Sequence, residues 1–144
     1  MNREIKFRAW DKEYNKMLVT DTATKFELSR SGVDVYSYEE IHTDISGVDR
    51  TTMDWVLVDA IPMQFTGLTD KHGKEIYEGD IYKAGNYMYQ VFFISGAFVG
   101  GKSIDSNQPL GWGYTEEGLI SEGTEMDWLE VIGNIYENPN LLEK

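Results

Sequence analysis

Ile5, Phe7 and Ala9 alternate with Lys6 and Arg8 in IKFRA, the period-two pattern of a half-buried strand. The polar DKEYNK that follows predicts a turn, and MLVT (17–20) predicts a returning strand. VDVYSY (33–38) alternates again, while YEEIHTDI (38–45) fits either a strand or a short helical turn. TTMDWVLVDAI (51–61) is rich in β-branched and aromatic residues and predicts a strand. In FTGLTDKHGKEIYEGDIY (65–82), Asp70 opens and Gly73 closes a four-residue turn with type I chemistry. YMYQVFFI-SG-AFV (87–99) predicts a second hairpin whose first arm, apolar on both faces, suits a central barrel strand. DWLEVIGNIY (127–136) predicts a late strand, and ENPNLLEK (137–144) turns at Asn138-Pro139 with at most one helical turn. There is no internal repeat and no convincing amphipathic helix.

This pattern predicts a mainly β protein. Glycine and charge divide it: twelve of the fourteen glycines follow Pro62, and residues 103–143 hold nine acids and no Lys or Arg. A boundary is therefore expected near Pro62, between a β-rich N-terminal region (1–62) and a C-terminal β region (63–144) on which it packs. Because the apolar run WVLVDAIPMQF crosses Pro62, the connection is expected to be continuous structure rather than a flexible linker.

Length and composition narrow the function classes. A chain of 144 residues suits one domain or two small intertwined ones, with 41% apolar residues to build a core. It has no cysteine, hence no disulfide framework, no thiol nucleophile and no Cys-based zinc site. No apolar run reaches the length of a membrane-spanning helix, and MNREIKFRAW lacks a signal-peptide core, so a cytoplasmic protein away from membranes is expected. The net charge of −12 disfavours direct nucleic-acid binding, and the densest basic group (Arg3, Lys6, Arg8, Lys12, Lys16) is diluted by Glu4, Asp11 and Glu13.

GAFVGGKS (96–103) matches the phosphate-cradle pattern, with Gly96, Gly101, Lys102 and Ser103 in the required places. That chemistry needs a helix after the loop so that its N-terminus faces the phosphates. IDSNQPLGWGY follows instead, with Pro109, Gly111 and Gly113, so the match reads as chance. His42 and Asp44 lie one strand period apart, but two ligands do not make a zinc site. His72 reads as a solvated turn residue. The carboxylates Glu75, Glu78 and Asp80 are near one another, as paired acid/base groups must be. Asp80 after Gly79 nevertheless fits a turn cap better, as does Asp70 before Gly73. Trp10, Trp112, Trp128 and Tyr136 are a conceivable stacking platform, yet the lack of cations after residue 102 favours core packing or a protein interface. Trp112 and Tyr114 in GWGY are the candidate protein-contact residues, because glycines free that segment from regular structure. No catalytic residue, metal or cofactor is expected.

Three stretches, KFRAWDKEYNKM (6–17), MQFTGLTDKHGKEIYEGDI (63–81) and VIGNIYENPNLL (131–142), together resemble the YopX-type proteins of bacteriophages and prophages. The resemblance covers the beginning, middle and end of the chain. It implies a phage or prophage origin, a C-terminal region like a small SH3-type β-barrel, and self-association. It implies no reaction and transfers no site. The expected function is that of an uncharacterised accessory protein in the host cytoplasm, a non-enzymatic module that binds a host or phage protein or forms a homo-oligomer. The acidic stretch from Asp105 to Glu137 supports an alternative, a DNA-mimicking decoy of a host nucleic-acid-binding protein. A nucleotide- or metal-dependent hydrolase is the third reading.

Overall fold

The structure, a computed structural model, describes residues 4–103, 106–109, 113–115, 118–120 and 125–143, with side chains over 4–102 and 127–143. Strands dominate it and no α-helix occurs among the described residues, so the class is all-β, with sheets that curl as half-barrels. The strands are β1 (Phe7–Asp11), β2 (Lys16–Val19), β3 (Thr24–Ser29), β4 (Gly32–Ile45), β5 (Val48–Leu57), β6 (Ala60–Asp70), β7 (Glu75–Tyr77) and β8 (Asp80–Ala84). They continue as β9 (Tyr87–Ile94), β10 (Ala97–Ser103), β11 (Ser106–Pro109), β12 (Gly113–Thr115), β13 (Gly118–Ile120), β14 (Glu125–Met126) and β15 (Glu130–Asn134). A single 3₁₀ turn, Pro139–Leu142, follows, started by the fixed φ of its proline.

The chain divides into two compact units: Phe7–Met63, and Met1–Lys6 together with Gln64–Lys144. The second unit is thus made from two separate stretches. Its breakpoints are adjacent, since the Phe65 N–H donates to the Lys6 carbonyl at 2.8 Å.

In the unit Phe7–Met63, β1 and β2 form a hairpin with Arg8 opposite Val19 and Asp11 opposite Lys16. The Asp11 carboxylate shapes its turn by accepting the N–H groups of Glu13 and Tyr14. Strands β3, β4 and β5 make an antiparallel sheet in that order. Ala9, Leu18 and Val35 form the small core, with Phe26, Val58 and Ala60 against it. Three details differ from the sequence pattern. Ile5 precedes β1 and is exposed. TKFELS forms β3, a strand its weak alternation does not announce, while YEEIHTDI takes the strand and not the helical alternative. The run 51–61 is two strands: the Val58 N–H makes a last rung to the Val35 carbonyl, and the Ala60 N–H then turns back to the Val58 carbonyl, leaving exposed Asp59 to pair with Lys12. Strand β6 then runs without a break through Pro62.

In the other unit, an antiparallel sheet has the order β11-β10-β9-β8-β15. Strand β9 is central, and it joins β10 through Ser95-Gly96, both with positive φ (51° and 82°), a primed turn that matches strand twist. Ile76, Tyr82, Val91, Leu129 and Val131 form the core. Tyr82 crosses the sheet face over Gly100, where a Cβ would overlap its hydroxyl and ring. Burial of the phenol pushes its pKa up to about 12.

Candidate functional site

Strand β4 is much longer than its neighbour β3, which pairs it only from Gly32 to Ser37. Beyond that point β4 and β5 continue as a two-stranded ribbon out to the Ser46-Gly47 turn. The sequence folds this way because Ser46 and Gly47 take the same two positive-φ positions as Ser95 and Gly96, and on the β4 side Ile41, Thr43 and Ile45 alternate with His42 and Asp44. The ribbon base is fastened by aromatics. Tyr38 and Trp55 lie opposite one another with ring centroids 5.1 Å apart, and the Lys25 ammonium sits 4.9 Å from both the Tyr36 and Trp55 rings.

Every residue from His42 to Asp54 is exposed. Large apolar side chains are among them: Ile45 (61%) and Val48 (58%) flank the turn, and Met53 (51%) lies midway. A two-stranded ribbon with no third strand is marginal in water, and its edges are templates for another strand. The charges are one-sided. Residues 38–57 carry five carboxylates (Glu39, Glu40, Asp44, Asp49, Asp54) and one cation (Arg50), a net −4. Glu39 faces Asp54 and Asp44 faces Asp49 directly across the ladder. Like charges so placed destabilise the pair. The Asp44 carboxylate accepts the Gly47 N–H and so shapes the turn, and the His42 ring hydrogen-bonds the Thr51 hydroxyl. His42 and Asp44 share one face of the ribbon but are each engaged locally. No cluster of three or more metal-ligating side chains occurs among the described residues.

The carboxylates of the middle block have different surroundings. Asp70, 2% exposed, accepts three backbone N–H bonds, from His72 and Lys74 on Oδ1 and from Val131 on Oδ2. Burial by itself would raise its pKa, but the N–H groups of Val131, Lys74 and His72 outweigh burial and hold it below the ordinary value. Gly73 donates its N–H to the Asp70 carbonyl, and the Gly79 N–H goes to Val91. Asp80, also buried, accepts the Tyr77 N–H. Glu75 pairs with Lys6 and accepts the Tyr77 hydroxyl, and the Lys6 bond is the main cause of its lowered pKa. Glu78 is raised by burial. Asp70 and Asp80 hold turns and strand ends, and Glu75 ties Lys6 to the Tyr77 hydroxyl.

The remaining candidates are scattered. Gly96 belongs to a turn and Ala97–Ser103 is extended β10, which does not curl as a phosphate cradle does; Lys102 lies 4.6 Å from the Tyr87 ring. His72 approaches Glu130, which Lys71 also pairs. Trp128 packs edge-on against Tyr82 at 6.2 Å, in a chain of rings that continues to Tyr89 and Tyr87. Trp10 lies half-buried in β1 and Tyr136 half-buried beyond β15. Trp112 lies outside the described residues, and Tyr114 is described only as backbone in β12. The ribbon was the part missed by sequence reading. Its signal was available in the Ser-Gly pair at 46–47, the same dipeptide that marks the hairpin at 95–96.

An all-β chain with buried carboxylate-capped turns and a free-edged ribbon defines a small β module, and the family follows from comparison. The chain belongs to the YopX family, whose model, described as YopX protein, matches residues 6–143. No curated protein matches it. Among solved structures it is similar to the crystal structure of protein EF1440 from Enterococcus faecalis, with 28% identity, 98% of this chain and 99% of that chain covered, and a TM-score of 0.57. No helix among the described residues is long and apolar enough to cross a membrane.

Proposed function

We propose that this protein is a non-enzymatic accessory protein of a phage or prophage, working in the host cytoplasm by binding another protein through the β4–β5 ribbon. The observation that carries the reading is the ribbon itself: an arm with exposed Ile45, Val48 and Met53 and two strand edges that nothing in its own unit pairs. Folding stability alone gives no reason to extend β4 and β5 eight residues past β3, whereas strand addition and hairpin insertion are standard modes of protein recognition. Family membership supports the phage setting. Self-assembly through the β4 edge of the ribbon is the second form of this reading.

The test compares the full chain with a variant in which residues 40–53 are replaced by Asn-Gly. Capture of a dominant host or phage protein, or an oligomer in light scattering, is expected from the full chain and is lost in the variant. Capture and mass that are both indifferent to the ribbon would overturn the proposal. The acidic-decoy alternative rests on the net charge of −12 and predicts that duplex DNA competes for the captured partner.

A further inference from the structure

Resting on the ribbon as the binding surface, we infer that the outer edge of β5 is a strand-addition site for a cationic extended segment of the partner, with Lys or Arg at alternating positions. The backbone phase of the ribbon identifies the bonding groups. A two-residue turn makes Ile45 and Val48 the hydrogen-bonded closing pair. Antiparallel alternation then turns the N–H and C=O groups of Thr43/Arg50, Ile41/Thr52 and Glu39/Asp54 inward, and those of Asp49, Thr51 and Met53 outward on β5. Tyr38 fixes this phase, because its N–H points outward on the other side and donates to the Ala23 carbonyl at 2.8 Å. Farther along β5, the Trp55 N–H is already bonded by the Asp54 carboxylate. Asp49, Thr51 and Met53 therefore present main-chain groups at every second residue, the spacing an added strand needs.

Charge selects the occupant. An incoming strand beside β5 meets Asp49 on one face and Asp54 on the other, with Glu39 and Asp44 directly across from them. Glu39, Asp44 and Asp54 have no ion pair among the described residues, and Arg50 is the lone cation of the arm. Cations at alternating positions all fall on one face of the added strand, and on the face of Asp54 and Glu39 they would relieve that like-charge pair. A second copy of the ribbon would bring another net −4 against the first, so self-pairing through this edge is opposed. Met53 and Thr51 lie on the opposite face, where they meet the Val and Thr positions of the added strand.

The test uses the full chain and three synthetic probes: a peptide alternating Lys with Val and Thr, the same peptide with Glu for Lys, and the Lys peptide with N-methylated backbone amides. The Lys peptide is expected to bind more tightly than the Glu peptide by about tenfold or more and to weaken as NaCl rises. It should slow hydrogen exchange at the Thr51 and Met53 amides. The N-methylated peptide keeps the charge but loses the strand ladder, and is expected to lose that protection. A Glu39→Gln/Asp54→Asn variant, with exposed isosteric changes, should weaken the Lys peptide several-fold while leaving the circular dichroism spectrum unchanged. Equal binding of Lys and Glu peptides, protection confined to other strands, or a dimer joined through β5 would overturn the inference. Capture that needs the ribbon but resists salt would overturn it while leaving the broader reading standing. Capture that ignores the ribbon would overturn both.

Discussion

Asp70 and Asp54 are both strand carboxylates, and their settings are opposite. Asp70 is buried and saturated, its two oxygens collecting three backbone N–H groups from two parts of one unit. Asp54 is exposed on a two-stranded ribbon, accepts the next N–H along the chain, and faces Glu39. The buried carboxylate organises the fold, while the exposed one adds repulsion to an element that already lacks a third strand. A residue type does not announce which of these it will be. The difference comes from whether the loop around it supplies donors.

Breaking the buried side of this comparison should have the largest effect. Asp70→Ala strands three amide donors in a site that is 2% exposed, and is expected to lower unfolding free energy by about 3–5 kcal/mol. Asp70→Asn, which keeps an acceptor oxygen, should lose less. Urea denaturation checks both. Next comes Gly100→Ala, which drives a methyl group into the Tyr82 ring and hydroxyl, a loss of about 1–3 kcal/mol, partly recovered in a Gly100→Ala/Tyr82→Phe double variant.

The pH dependence has a defined sign. Asp70 and Glu75 have lowered folded pKa values, so each contributes stability above its ordinary pKa, which is lost as pH falls through the lowered value. Glu78 has a raised folded pKa, so its contribution runs the other way: stability falls as pH rises from the ordinary value through the raised one. Glu78→Gln is therefore expected to raise the neutral-pH melting temperature slightly, and Asp70→Asn to flatten the acid limb. The smallest effect belongs to the ribbon. Glu39→Lys turns a like-charge pair with Asp54 into an attractive one and should stabilise by about 0.2–1 kcal/mol, measured by thermal melting.

Much of the fold was legible. The alternation of Phe7 and Ala9, the Ser95-Gly96 turn and the late strand around Val131 all lie in local sequence, where side-chain period and turn chemistry act directly. TKFELS was not, because β3 exposes its second half and so carries little alternation. The break at Val58–Asp59 was hidden by an apolar run that has no glycine, and is set instead by a tight turn in which the Ala60 N–H bonds back to the Val58 carbonyl. The candidate surface was the least legible part. Sequence reading singled out GWGY because aromatics and glycines stand out, and Trp112 of that segment lies outside the described residues; the ribbon is a second candidate, made of ordinary strand residues. What distinguishes the ribbon is the length of β4 beyond its neighbour β3, a relation between elements rather than a motif.

The bond between Phe65 and Lys6 has a consequence for how such a chain changes over generations. Residues 7–63 leave and re-enter the other unit at neighbouring points, so they form a cassette whose removal leaves a gap that a short turn can close. A recombination event that exchanges this cassette changes the arm a protein offers to the outside while the Asp70-capped frame passes unaltered to its descendants.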